Sequence, residues 1–154
     1  MRHMDLSSFI RRVGAGTAAT ALVAAGAALA SPQIKSAAYS GSLSGNRSSY
    51  LVTFKVSPNG RRVTALHISS TPFFCSGGGP PTPVKFANAT ISPKGTFKST
   101  GNYVIQVGPF KGQVGTHLTI TGKFSKGGGE HGTVTSKYPK AAECDGSASY
   151  TTSG

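Results

Sequence analysis

Acidic side chains are scarce in this chain: four Asp and Glu stand against 16 Lys and Arg in 154 residues. Beyond residue 30 only Glu130, Glu143 and Asp145 remain. Hydrolysis by paired carboxylates needs two acids facing one bond. Here Glu143 and Asp145 flank Cys144 on what reads as an outer, solvated strand face, and Glu130 sits at a turn. Cysteine is scarcer still. Cys75 and Cys144 form neither a Cys-x-x-Cys redox pair nor a short-spaced zinc set. Histidine does not fill the gap, because a hairpin centred on Gly127 sets His131 against Lys123 and His117 against Lys137. No serine lies in a Gly-x-Ser-x-Gly turn. The glycine clusters 77–79 and 127–129 lack the Gly-Lys-Ser/Thr ending of a phosphate loop. The chain therefore reads as non-enzymatic, with no cofactor and no metal.

A helical period is also missing after residue 30, and short apolar–polar alternations take its place. Tyr50, Val52, Phe54 and Val56 share one face, and Tyr103, Ile105 and Val107 share another. Leu118, Ile120 and Phe124 continue the pattern, and Cys144, Gly146, Ala148 and Tyr150 mark a last strand. Ser57-Pro58-Asn59-Gly60 and Ser92-Pro93-Lys94-Gly95 punctuate the runs. In both, proline presets the first turn dihedral and glycine takes the left-handed position. Val63 is out of phase with Leu66 and Ile68, which predicts a β-bulge near Ala65. The expected fold is all-β: an antiparallel meander of about eight strands in a small barrel or sandwich.

The first 30 residues read differently. Arg2, Arg11 and Arg12 precede an apolar run, 13–30, that ends in Ala28-Leu29-Ala30 before Ser31-Pro32. A basic flank, an apolar stretch of this length and a small-x-small end mark a cleaved signal peptide. Glycines and threonines at 14, 16, 17, 20 and 26 leave the run less apolar than the ~20 residues of a membrane span. The expected organisation is a signal peptide over 1–30 and a single secreted β domain over 31–154. That domain would be extracellular or envelope-associated, with no transmembrane anchor after cleavage. In an oxidising compartment Cys75 and Cys144 are expected to pair. Their loop of ~70 residues is worth about 4 kcal/mol in the chain-entropy model.

Three basic residues fall in the leader, so 13 remain against three acids, a balance of +10. Such a charge serves solubility or attracts polyanions, anionic cell-wall polymers among them. The outward lysines Lys55, Lys98, Lys111, Lys123, Lys126 and Lys137 are the candidate contacts. Several adjoin aromatics, as in Phe54-Lys55, Phe97-Lys98, Phe110-Lys111 and Lys123-Phe124. Strand neighbours point to opposite faces. The rings then fall in the core, which leaves no stacking platform for bases and no expectation of specific nucleic-acid binding. Residues 71–83 carry four prolines and cannot form a central strand. They read as a long loop tied down by Cys75, whose Phe73 and Phe74 either plug the barrel end or contact a small ligand or partner.

The pattern Tyr39-x-Gly41, Val56-Ser57-x-x-Gly60-Arg61-x-Val63, Cys75, Gly95-x-Phe97, Ile120-x-Gly122-x-Phe124, Gly132-Thr133 and Cys144-x-Gly146 spans most of residues 31–154. In it the chain resembles the small secreted, disulfide-containing β-domain proteins of unknown function from high-GC Gram-positive bacteria. Tyr150 departs from the pattern, since such sequences often carry tryptophan there. The resemblance implies the fold and supplies no activity.

Overall fold

Alternating sequence builds alternating burial. The computed structural model describes residues 32, 34–71, 82–139 and 142–154, with the backbone alone at Glu143. Nine strands follow in order: β1 Ala38–Leu43, β2 Leu51–Val56, β3 Arg62–Ile68, β4 Val84–Lys85, β5 Ala89–Thr90, β6 Thr96–Val104, β7 Val114–Phe124, β8 Glu130–Lys137 and β9 Gly146–Ser153. They form one antiparallel sheet in the order β4-β3-β2-β1-β9-β8-β7-β6, with β5 also on β3. Lys85 faces His67 and Thr90 faces Arg62 in one continuous register, so β4 and β5 are two pieces of a single interrupted strand. Counted that way the meander has eight strands, as its alternation predicts. A bridge between Phe86 and Gly101 brings this broken strand against β6, and the sheet is nearly closed into a barrel.

The seam is where sequence and structure part. The turn at Ser92 forms as expected, with Ser92 N–H donating to Thr96 O at 2.8 Å and Gly95 N–H to Ser92 O at 2.8 Å. Yet Ala89 and Thr90 ladder with β3, not with β6 beyond the turn. Hydrogen bonding to β6 resumes where Ala87 N–H donates to Thr100 O and Ser99 Oγ to Ala87 O.

Both Ser-Pro-x-Gly turns use one device. Gly60 and Gly95 sit at φ 68° and 76°, and each turn's serine Oγ accepts the backbone N–H just after it, from Arg62 at 3.0 Å and from Thr96 at 3.1 Å. The bulge is where the phase error placed it. The β2–β3 register slips between Thr53 and Lys55, and Ala65 adopts φ 51° with its side chain exposed. The β7–β8 register sets His117 against Lys137 and Lys123 against His131, as centring on Gly127 requires.

Side chains fill the interior, as an eight-stranded barrel allows. Tyr39 stacks on Phe54 at 5.0 Å, Phe124 meets Tyr39 edge-on at 5.5 Å, and Phe97 lies 5.7 Å from Phe54. Leu43, Val52, Leu66, Ile68, Val84, Leu118, Ile120 and Val134 continue the core toward the other end. Each such burial contributes about 1.5–3 kcal/mol.

A meander sends alternate connections to opposite ends. Connections 57–61, 91–95 and 125–129 gather at what we term the turn end. Connections 44–50, 69–83, 105–113 and 138–145 gather at the loop end. Two expectations fail at the loop end. Val107 does not face inward: β6 stops at Val104, and Val107 is 65% exposed in the connection beyond it. Cys144 is buried, but it closes a 3-10 turn, Ala142–Cys144, ahead of β9 rather than opening that strand. No helix among the described residues is long and apolar enough to cross a membrane.

Candidate functional site

Chain reversal places the charge. Each connection of the turn end is a tight polar turn or lies beside one. Lys35, Arg61, Arg62, Lys94 and Lys126 therefore project there, joined by Lys55, Lys98 and Lys123 from nearby strand positions. All eight are exposed. Lys123 lies directly across from Thr96 and His131, and Lys98 is its diagonal neighbour. A cleft of about 520 Å³ opens beside Arg61, walled by Ile34, Ile91 and Pro93, with the hydroxyl-bearing Thr90 and Ser92 also lining it. A second groove of about 390 Å³ runs over the outside of β1–β3 at Ala38, Ser40, Ala65, Lys55 and His67.

Among the described residues the only acid at this end is Glu130, and it does not face the cations. It is 1% exposed and turns into the barrel. Tyr150 Oη lies 2.8 Å from one carboxyl oxygen and 3.1 Å from the Thr121 carbonyl, and Thr152 Oγ1 donates to the other carboxyl oxygen at 2.9 Å. Inward glycines make the room. A Cβ on Gly132 would run into the Thr121 carbonyl and the Tyr150 ring, and one on Gly122 into Glu130 and Phe97. Burial pushes the Glu130 carboxyl up to about 7, against the opposing pull of its hydrogen bonds. Burial and the neighbouring Glu130 push the Tyr150 hydroxyl up as well. Sealed from solvent, this carboxyl reaches no substrate, so its influence is on stability. Sequence position alone put Glu130 at a turn and left its side chain unplaced. The signal that could have found it is phase, because Glu130, Gly132, Val134 and Ser136 share one strand face.

Of the six lysines singled out in the sequence, Lys55, Lys98, Lys123 and Lys126 come together at the turn end. Lys111 and Lys137 do not: both lie at the loop end, and Lys137 is tied to Asp145 at 2.7 Å. Asp145 also accepts the Tyr138 N–H at 2.7 Å, so it organises the β8–β9 connection rather than an outer strand face. Lys35, Arg61, Arg62 and Lys94 were missed as members of the cluster. Turn parity was the available clue, since the second, fourth and sixth reversals of an up-and-down meander share one end.

Phe110-Lys111 breaks the alternation rule, because both side chains are exposed in a connection where no pleat separates them. Phe73, Phe74 and Cys75 lie outside the described residues, within 72–81, as does the expected leader over 1–30. Thr71 and Thr82, on either side of the second segment, are joined by a 2.9 Å hydrogen bond from Thr71 Oγ1 to Thr82 O. Cys144 is not a free cysteine.

No protein-family model, no curated protein and no solved structure matches this chain.

Proposed function

We propose that this is a secreted, non-enzymatic β domain held at anionic cell-envelope polymers by its cationic turn end. One observation carries the reading: eight exposed cations share an end whose single acid, among the described residues, is buried. Each exposed cation adds little alone, but several on one surface raise the local concentration of a polyanion and make its binding salt-dependent. Polymer phosphates or carboxylates would meet Lys35, Arg61, Arg62, Lys94, Lys123 and Lys126, with Lys55 and Lys98 at the margin. Export through the leader at 1–30 and a Cys75–Cys144 bridge belong to the same reading. Counting free thiols in the unreduced, denatured protein checks the bridge, and finding two would remove it.

Co-sedimentation with Gram-positive envelopes across a salt series tests the attraction. Retention should be strong at low salt and lost by about 0.5 M, where the Debye length is only a few ångströms. Replacing Arg61, Arg62, Lys94 and Lys126 with alanine should abolish it, whereas replacing Lys85 and Lys111 should not. Equal losses from the two sets would mean that net charge acts without a site.

A further inference from the structure

The β6–β7 connection exposes apolar side chains on a backbone that is partly hydrogen-bonded within itself. Val107 is 65% and Phe110 51% exposed, and Val104 and Val114 show their outward faces at the base of the same hairpin. This is not a loose loop. Ile105 N–H donates to Gln113 O, Gly112 N–H to Ile105 O, Lys111 N–H to Gly108 O and Gln113 N–H to Phe110 O, at 2.9–3.1 Å. Gln106 Nε2 donates to Val104 O at 2.6 Å. Gly108 and Gly112 take the positive φ values, 79° and 87°, that fold the tip back on itself. Exposed apolar groups gathered on one ordered element mark an interaction surface.

We propose that this hairpin is a wedge that seats the loop end on an anionic lipid bilayer. Two features select lipid. Part of the tip's backbone bonds within the connection, so shallow seating at the hydrated headgroup level strands few of its polar groups. The only charge between residues 104 and 114 is Lys111, beside Phe110 at the tip. A lysine there places its ammonium at anionic headgroups while its stem lies along the apolar layer. The proposal rests on the loop end alone and stands or falls independently of polymer binding at the turn end.

The chain contains no tryptophan, so Phe110→Trp in the full-length protein supplies a single reporter at the tip. Residues 13–30 are themselves apolar, so the readout is position 110 rather than bulk co-sedimentation. Adding phosphatidylglycerol-containing vesicles should shift the emission to the blue, and brominated lipid should quench it. Pure phosphatidylcholine should do neither. Val107→Ser in that background should weaken the titration about tenfold, and Lys111→Ala about fivefold at low salt. Neither should change Tm. Emission that stays at its water position under saturating anionic vesicles overturns the proposal. A blue shift that needs no lipid and grows with protein concentration also overturns it, by assigning the surface to a second copy of the chain.

Discussion

At one end of this barrel the three connections are five residues each and polar; at the other, four connections run to seven residues or more, and one of them, 105–113, carries an exposed valine and phenylalanine. The same eight-stranded frame feeds both. Two turns of the turn end are specified locally, by proline, a serine hydroxyl and a left-handed glycine, and Tyr39, Phe54, Phe97 and Phe124 pack together beneath it. Its function, in our reading, is carried by charge on top of that base. The loop end carries chemistry on longer connections, where insertion and exposed apolar groups are tolerated without disturbing a ladder. The lesson is a division of labour: the stacked core aromatics and eight of the described cations belong to one end, the exposed apolar hairpin to the other.

The comparison breaks most visibly in the aromatic cluster. Phe54→Ala removes the ring that Tyr39 stacks on and should cost about 3–5 kcal/mol in denaturant unfolding. A loss under about 1 kcal/mol would mean the turn end is not the stability centre.

A smaller effect comes from Glu130. Its folded pKa, about 7, is raised above the ordinary 4.5, so the stability it contributes is complete below 4.5 and is lost as pH rises through 7. Over that window the change amounts to about 3 kcal/mol. Tm should therefore fall between pH 4.5 and 8, and Glu130→Gln should flatten much of that slope. A parallel slope in the variant would show that the buried carboxyl is not its source.

Smallest of all is Phe110→Ala at the loop end. It should change unfolding free energy by no more than about 0.5 kcal/mol, because an exposed ring supports no core. A loss near that of Phe54→Ala would mean that the tip packs into the body of the barrel and is no wedge.

Strand content, both Ser-Pro-x-Gly turns, the bulge at Ala65 and the β7–β8 register were all legible, because each depends on neighbours within a few residues or on one hairpin. The barrel's seam was not. Ala89 and Thr90 look paired across the Ser92 turn, yet they ladder with β3, a choice made by how far the closing sheet bends. Val107 continued an alternation in the sequence that the chain abandons after Val104, since nothing local marks where a strand outruns its partner. The candidate site was half visible: four of six lysines gather at the turn end, but their partners Lys35, Arg61, Arg62 and Lys94 sit in or beside the connections or ahead of β1, where side-chain alternation says little.

What the residues determined by themselves is therefore periodic or local: an all-β chain, its turns and its excess of cations. Tertiary structure alone decided which cations share an end, that Glu130 is buried against Tyr150 and Thr152, and that Phe110 is exposed while Phe54 is not. The physical reason is closure. Alternation assigns a side chain to a face, but only the curvature and stagger of a nearly closed sheet settle how deep along the barrel that face lies.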